Sequence, residues 1–300
     1  MVAVPAGLWQ GGRSGTKGLA MIVAFEIGGS RIRAAAGGVA LGEAATPASF
    51  DAFVAALAGF CGRVLPPIAG VAISIAGVVD RDTGRITVAN IPCLDGRILA
   101  ADLHAALGLP VLVLNDADCF ALAEAQAGAG QGCRVVFGVI LGTGVGGGLV
   151  IDGRVHQGAG GCAGEWGHGP VVQSPLLVCG CGQVGCLDTV GGARGMERLH
   201  LALTGEVLEV REIVAGRAAT VEAWVQIVGG VLAMVVNVVG ADVVPVGGGL
   251  SNDAGLIARL DAAVRARILR RTDRPLVVPA VCGADAGLIG AAAAGAAAFG

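Results

Sequence analysis

Short runs of apolar residues alternate along this sequence with segments in which apolar residues recur at helical spacing. The short runs predict buried strands, and recurrence at every third or fourth position predicts amphipathic helices. Strands that alternate with helices indicate an α/β fold. The predicted strands are residues 21–27, 31–35, 68–75, 86–88, 111–114, 135–141, 148–151, 242–246 and 276–279. The predicted helices are residues 49–61, 99–107, 117–127, 194–203, 207–215, 220–239, 256–269 and 286–298.

One local pattern, a strand followed by a glycine turn and a returning strand, occurs in each half of the chain. The first copy turns at residues 28–30 and the second at residues 142–144. A tight glycine turn between two apolar runs is typical of a β-hairpin. Two similar halves that face each other would leave a cleft between them.

The pattern also predicts how the chain divides into domains. A length of 300 residues favours about two domains. We expect residues 1–20, which are aperiodic and rich in glycine, to be a flexible tail. Residues 21–116 with the C-terminal helix 285–300 are expected to form a smaller α/β domain. Residues 117–284 are expected to form a larger α/β domain with a cysteine-rich loop at residues 164–188.

Composition narrows the possible partners. Hydrophobic residues make up 54% of the chain and charged residues only 14%, so a large core is expected and disorder is not. The net charge is −3, Lys17 is the only lysine and the arginines are scattered. The sequence therefore lacks the basic patch that nucleic-acid binding requires, and we expect no nucleic-acid partner.

Two uncharged stretches, residues 135–151 and 223–241, approach the length of a membrane span. Glycine turns interrupt the first, and Gln226 and Asn237 interrupt the second. Both are interpreted as buried elements, so no membrane association is expected. Residues 1–20 lack the basic and apolar regions of a signal peptide, which favours a cytoplasmic location.

Three glycine turns follow predicted strands. Turns of this kind expose backbone N–H groups at a strand end, where phosphates are commonly bound. None fits the Walker pattern, and a single such turn is more often only a turn. Three of them together, two with a hydroxyl, favour nucleotide binding. The residues are Gly28, Gly29 and Ser30, then Gly142, Thr143 and Gly144, then Gly247, Gly248 and Gly249.

Asn115 and Asp116 lie between a predicted buried strand and a predicted helix, a common place for catalytic groups in α/β proteins. A carboxylate there can accept the proton of an attacking hydroxyl during phosphoryl transfer. Alternatively, Asp116 only caps the helix that follows. Position alone leaves these two interpretations open.

The loop at residues 164–188 carries candidate metal ligands. His168, Cys179, Cys181 and Cys186 provide one imidazole and three thiolates, a ligand set typical of structural zinc. Unrelated free thiols are the alternative, and Glu165 with His168 could be an ordinary surface ion pair. The sequence therefore predicts a metal-braced loop in which Glu165 and Asp188 are held as acceptors for a polar substrate.

These segments together resemble the ROK family (repressors, open reading frames and sugar kinases), which belongs to the actin/hexokinase-like ATPase superfamily with a ribonuclease H-like fold. The resemblance runs from about Met21 to the C-terminus. It rests on residues 26–30 (EIGGS), 115–116 (ND), 141–144 (LGTG), 164–168 (GEWGH), 179–186 (CGCGQVGC) and 247–249 (GGG).

The resemblance implies a role for each candidate residue. The first two glycine turns, with Glu26, would hold the phosphates of ATP with Mg²⁺, and the third would approach the adenosine. Asp116 would be the general base that accepts the proton of the sugar 6-hydroxyl. Zinc would be structural, bound by the four ligands named above. The sugar would contact Gly77, Asn90, Asn115, Asp116, Glu165, His168 and Asp188.

The resemblance also implies a substrate. Residues 89–92 (ANIP) and 115–122 (NDADCFAL) are most similar to those of bacterial N-acetylglucosamine kinases. Phosphorylation of N-acetyl-D-glucosamine is therefore expected, with glucose or N-acetylmannosamine as alternative sugars. A sugar-responsive repressor and a non-catalytic sugar-binding protein are the alternatives of another class. Family members are often dimers, so a homodimer is an open expectation.

Two departures from the family pattern affect the predicted site. Glu26 replaces an Asp at the first glycine turn, and Asp188 replaces a Glu predicted to contact the sugar. Each changes the reach of a carboxylate by one methylene. Shifts of about 1 Å in such groups can cost about 10²-fold in rate. We therefore expect these changes to affect catalytic efficiency and sugar preference rather than the fold.

Overall fold

The chain forms two units, each built around its own five-stranded sheet. The structure, a computed structural model, describes residues 20–65 and 67–300. The tail predicted at residues 1–20 thus lies outside the described residues, except for residue 20. Unit 1 comprises the described residues up to 128, residues 155–163 and residues 282–300. Unit 2 comprises residues 129–154 and 164–281.

The helices and strands are numbered in chain order. The strands are β1 Met21–Ile27, β2 Arg31–Ala36, β3 Val39–Ala45, β4 Ile68–Ile75, β5 Val78–Val79, β6 Ile86–Thr87, β7 Val111–Asn115, β8 Val135–Leu141, β9 Val145–Ile151, β10 Arg154–Val155, β11 Val244–Gly247 and β12 Val277–Pro279. The helices are α1 Phe50–Cys61, α2 Leu99–Leu107, α3 Asp116–Ala127, α4 Asp188–Gly191, α5 Ala193–Thr204, α6 Val210–Gly216, α7 Ala218–Val239, α8 Ala254–Arg265 and α9 Ala286–Phe299.

The sheet of unit 1 has the order β3-β2-β1-β4-β7 and is mixed. β1 pairs antiparallel with β2 and parallel with β4. Successive side chains of a strand point to opposite faces. Phe25 on one face packs in the core that includes Phe53 of α1, and Ala24 on the other face packs in the core that includes Leu288 of α9. Because both faces are covered, β1 is apolar at every position except Glu26 instead of alternating.

The sheet of unit 2 has the order β10-β9-β8-β11-β12. β8 pairs antiparallel with β9, whereas β11 pairs parallel with both β8 and β12. Phe137 of β8, Trp224 of α7 and Leu260 of α8 share its core. By length and composition α7 could cross a membrane, yet half of its most apolar window is buried inside the protein. Its buried residues lie in this core, as the sequence predicted.

The predicted α/β fold class and both predicted hairpins are confirmed. The sequence prediction missed β3, an edge strand whose residues are mostly exposed and whose sequence, VALGEAA, has an apolar run of only three residues. The sequence also placed a domain boundary after residue 116, whereas contacts group α3 with unit 1 and place the division after residue 128. α3 and α9 are in close contact, since a Cβ at Gly290 would overlap the backbone of Cys119.

Candidate active site

The first turn, residues 28–30, is held by one hydrogen bond to the start of β2 and by two from Thr46, the residue after β3. The Gly28 N–H donates to the Arg31 carbonyl at 3.0 Å. The Thr46 hydroxyl donates to the Gly28 carbonyl at 2.7 Å, and the Thr46 N–H donates to the Ser30 carbonyl at 3.1 Å. A Cβ at Gly29 would lie 2.9 Å from the Cβ of Asn90. The predicted site residue Asn90 therefore packs directly against this turn.

Charged side chains link the strands beside the first turn to the start of α9. Glu26 and Arg33 are paired across the hairpin, and the Arg33 guanidinium donates to Glu26 Oε2 at 2.8 Å. The same guanidinium donates to the Ala284 carbonyl at 2.7 Å and forms an ion pair with Asp285. Burial by itself would lower the pKa of Arg33, but its bonds to Asp285 and Glu26 outweigh that effect and raise it. Arg33 therefore holds Glu26 in place as a permanent cation.

Asn115 and Asp116 have different roles at the start of α3. Asn115 caps the helix: its Oδ1 accepts the Ala117 N–H at 2.7 Å and the Asp118 N–H at 3.3 Å. Its Nδ2 donates to the Gly77 carbonyl at 2.9 Å, which joins two more predicted site residues. Asp116 accepts the Ala117 N–H at 2.9 Å. Asn115 is therefore the N-cap of α3, and Asp116 accepts one of the same N–H groups.

Asp116 lines a small cavity together with the first turn. The cavity has a volume of about 140 Å³. It is lined by Glu26, Ile27, Gly28, Arg31, Arg33, Ser74, Ala76 and Asp116. Two carboxylates, two guanidinium groups and a turn backbone thus share one space within unit 1. Such a space suits a phosphate group and the metal ion that accompanies it.

The second turn, residues 142–144, is held by one hydrogen bond within the turn and by two from the first residues of α4 and α5. The Gly142 N–H donates to the Gly144 carbonyl at 3.1 Å. The Ala193 N–H, at the start of α5, donates to the Gly142 carbonyl at 2.8 Å. Asp188 Oδ1 accepts the N–H of Val145, the residue after the turn, at 2.8 Å. Both ends of the turn are therefore hydrogen-bonded to residues 188–193, which begin at the last residue of the cysteine-rich loop.

The third turn, residues 247–249, follows β11 and borders an open cavity of about 570 Å³. Gly248 has a φ of +88°, and a Cβ there would overlap the backbone of Leu141. Only glycine suits that combination of backbone angle and close approach. The cavity is lined by Ala193, Val210, Arg211, Val214, Ala215, Gly249, Leu250, Asn252 and Asp253. Its apolar and polar groups together fit a base and a ribose.

His168, Cys179, Cys181 and Cys186 converge in unit 2, with their candidate ligand atoms within 4.8 Å of one another. The Cys179 Sγ lies 3.7 Å from His168 Nδ1, and the Cys181 Sγ lies 3.6 Å from the Cys186 Sγ. Sulfurs bound at about 2.3 Å to one tetrahedral ion stand about 3.8 Å apart. These four side chains, the metal cluster, therefore fit a tetrahedral ion.

Backbone hydrogen bonds and burial change how readily the thiols of the metal cluster lose their protons. The Gly169 N–H donates to the Cys186 Sγ at 3.3 Å. A hydrogen bond from the Gln183 backbone lowers the pKa of the Cys181 thiol to about 7, whereas burial raises the pKa of Cys179 to about 11. Metal binding requires thiolates, so binding an ion would release protons from the cluster.

Glu165 lies beside the metal cluster. Its Oε2 is 3.8 Å from His168 Nε2, so the two ring nitrogens of His168 face different partners. A metal-binding histidine typically places its second nitrogen against a carboxylate, which orients the ring. His168 can therefore face Glu165 with one ring nitrogen and bind a metal ion with the other, so the two predicted roles are compatible. About a third of each side chain is exposed.

The structure distributes the predicted site residues over both units. Unit 1 holds Glu26, Gly28, Gly29, Ser30, Gly77, Asn90, Asn115 and Asp116. Unit 2 holds Gly142, Thr143, Gly144, Glu165, His168, Asp188, Gly247, Gly248, Gly249 and the three cysteine ligands. Sequence reasoning missed Arg33 and Thr46. A three-residue turn at residues 28–30 would pair Glu26 with Ile32, whereas the structure pairs Glu26 with Arg33, so the hairpin pattern alone did not identify Arg33.

Comparisons with known proteins extend over most of the chain. A family model described as the ROK family matches residues 23–296. An N-acetylgalactosamine kinase of Shewanella sp. (strain ANA-3) is 37% identical over 74% of this chain and 76% of its own length. An N-acetyl-D-glucosamine kinase of Photobacterium profundum is 35% identical over 91% of this chain and 98% of its own.

Solved structures show the same similarity in three dimensions. A ROK hexokinase from Thermus thermophilus has a TM-score of 0.80 and 31% identity, covering 91% of this chain and 96% of its own. A ROK family glucokinase from Streptomyces griseus, in complex with glucose and AMPPNP, has a TM-score of 0.69 and 29% identity, covering 90% of this chain and 97% of its own. The similarity therefore includes residues of both units.

Proposed function

The chain belongs to the ROK family, and from that premise we propose that it transfers the γ-phosphoryl group of ATP to the 6-hydroxyl of N-acetyl-D-glucosamine. Relatives that match most of their own length are kinases of amino sugars and of glucose. The observation that carries the proposal is the cavity shared by Asp116, Glu26 and the first turn. It combines a candidate base with candidate phosphate ligands.

Asp116 is the proposed general base. Asn115 is the N-cap of α3, and the Asp116 carboxylate lines the cavity beside the first turn, which supports this role. In the reaction, its carboxylate accepts the proton of the sugar 6-hydroxyl while that oxygen attacks the γ-phosphorus. General base catalysis of this kind contributes about 10²- to 10⁴-fold in rate.

The three glycine turns are the proposed nucleotide site. The first and second turns present backbone N–H groups for phosphate oxygens, and the 570 Å³ cavity beside the third turn takes the adenosine. Mg²⁺ bound to the phosphates neutralises the charge that develops during transfer. Glu26, oriented by Arg33, is the carboxylate that positions this ion.

The remaining candidate residues are proposed sugar ligands. From unit 1 these are Gly77, Asn90 and Asn115, and from unit 2 they are Glu165 and His168. The metal cluster is proposed to bind Zn²⁺ with all four of its ligands. A four-ligand site leaves no position for a water nucleophile, so the ion supports the loop and takes no part in the chemistry.

A sugar panel tests the proposed activity. The protein is incubated with MgATP and, separately, N-acetylglucosamine, N-acetylgalactosamine, N-acetylmannosamine and glucose, while ADP release is recorded. We expect the highest kcat/KM with N-acetylglucosamine. N-Acetylgalactosamine is the second candidate, since one relative with that activity is 37% identical.

The panel also separates the other classes of function. Sugar binding measured by calorimetry without ADP release would identify a non-catalytic sugar-binding protein. No ADP release and no binding of any of these sugars would reject the proposal altogether. A cytoplasmic location and a homodimer are further parts of the proposal, supported by the family resemblance, and light scattering of the purified protein tests the dimer.

A further inference from the structure

Asp188 links the cysteine-rich loop to the second turn. It is the first residue of α4 and lies two residues after the metal ligand Cys186. Its backbone N–H donates to the Gly167 carbonyl at 2.9 Å, and its Oδ1 accepts the Val145 N–H at 2.8 Å. One residue is thus bonded to the loop through its main chain and to the end of the second turn through its side chain.

The contact between Asp188 and the second turn has little free space. A Cβ at Gly144 would overlap Asp188 Oδ1, so the turn backbone lies directly against the carboxylate. A Cβ at Gly192 would lie 2.7 Å from both the Gly144 Cα and the Thr143 carbonyl oxygen. The other carboxylate oxygen, Oδ2, lies 4.0 Å from the Cys179 Sγ. The Asp188 carboxylate therefore lies between the turn and the metal cluster.

We propose that Asp188 is a positioning residue for the second turn, which it holds through Val145 and connects to the metal-held loop. This inference rests on the proposed function, in which the second turn binds ATP phosphates. It replaces the prediction that Asp188 contacts the sugar. The Asp188 side chain reaches the Val145 N–H at 2.8 Å, and a longer side chain would have to place its carboxylate differently.

The size of the effect follows from the kind of bond. A hydrogen bond between a charged group and a backbone N–H corresponds to about 10- to 100-fold in a binding constant. If the bond positions the second turn, its loss weakens nucleotide binding. If the carboxylate were a sugar ligand instead, its loss would weaken sugar binding. The two roles therefore differ in which substrate is affected.

Two conservative variants test the inference. Asp188→Asn keeps the shape and the oxygen that accepts the Val145 N–H, so we expect its Kd for MgATP to stay within about threefold of wild type. Asp188→Glu keeps the charge but displaces it, so we expect its Kd for MgATP to rise by about 10-fold or more. Kd is measured by calorimetry, and KM for ATP and for sugar by ADP release.

Asp242 supplies the matched control within the same sheet. Its Oδ2 accepts the N–H of Val135, the first residue of β8, at 2.9 Å. Asp188 Oδ1 makes the same kind of bond with the N–H of Val145, the first residue of β9. Asp242→Asn and Asp242→Glu should lower thermal stability and leave the Kd for MgATP unchanged. Zinc content and circular dichroism confirm that each variant is folded.

The outcomes separate the inference from the function on which it rests. Wild-type protein that binds neither MgATP nor ADP would reject the proposed function. Wild-type protein that binds MgATP, with Asp188→Glu binding equally well, would reject the inference alone. A rise in the KM for sugar of Asp188→Asn, with no change in its Kd for MgATP, would reject the positioning role and show that Asp188 is a sugar ligand.

Discussion

The first and second turns occupy the same place in their sheets but are held by different means. Each follows the first strand of an antiparallel hairpin, β1 or β8, whose other edge pairs with a parallel strand. The first turn is bonded to Thr46, through both the hydroxyl and the N–H of that residue, and lies beside the ion pair of Arg33 with Glu26. Around the second turn the bonds come from α4 and α5, through Asp188 and the Ala193 N–H.

The two turns, both proposed to bind phosphates of ATP, are therefore held in place in different ways. The first turn depends on ion pairs within unit 1, so its geometry should respond to the charge and length of a few side chains. The second turn depends on a segment that begins two residues after a metal ligand, so its geometry should respond to the metal. Variants that affect one turn and leave the other intact therefore test the comparison.

The largest expected effect is the loss of Asp116, the proposed base beside the first turn. Asp116→Asn should lower kcat by about 10²- to 10⁴-fold, because an amide cannot accept the proton of the sugar hydroxyl. MgATP should still bind with its normal Kd. Asp102→Asn, which alters an ion pair on α2 of the same unit, serves as the control and should retain activity. Substantial turnover by Asp116→Asn would exclude Asp116 as the base.

Loss of the metal should act next most strongly, and through the second turn. Structural zinc contributes about 10–16 kcal/mol to the folding of small zinc-dependent domains. We expect Cys181→Ser to lose zinc, lower the melting temperature and raise the Kd for MgATP by at least about 10-fold. Cys162→Ser changes an exposed cysteine outside the metal cluster and is the control. A zinc-free protein with unchanged nucleotide affinity would contradict the connection between metal and turn.

The smallest expected effect comes from breaking the ion pair at the first turn. Arg33→Met leaves Glu26 without its guanidinium partner, so we expect kcat/KM to fall by about 10-fold and the Mg²⁺ concentration for half-maximal rate to rise. Arg97→Met is the control, since Arg97 pairs with Asp102 at 3.0 Å and packs over Phe50 away from the first turn. A loss of stability with an unchanged Mg²⁺ requirement would make Arg33 merely structural.

Much of this organisation could be predicted from the sequence because its signals are local. Apolar runs located β1, β4 and β8, and glycine turns marked the ends of β1, β8 and β11. The ligand types in the cysteine-rich loop identified the metal cluster, whose four side chains do converge. Each of these features is encoded in one short continuous stretch of sequence, which is where pattern reasoning is informative.

The features that escaped prediction depend on residues distant in the sequence. Arg33 meets Asp285 some 250 positions later, and Asp188 meets Val145 across 43 positions. β3 has no long apolar run, because its side chains are mostly exposed and do not pack in a core. Asn115 rather than Asp116 caps α3, a choice between adjacent polar residues that periodicity does not resolve.

The central claim is that this chain phosphorylates the 6-hydroxyl of an amino sugar with ATP. The most direct measurement compares ADP release by the wild-type protein with MgATP and either N-acetylglucosamine or its 6-deoxy analogue. We predict steady turnover with N-acetylglucosamine, an N-acetylglucosamine 6-phosphate product, and no release above the sugar-free background with the analogue. Equal ADP release with both sugars, or none with either, would contradict the claim.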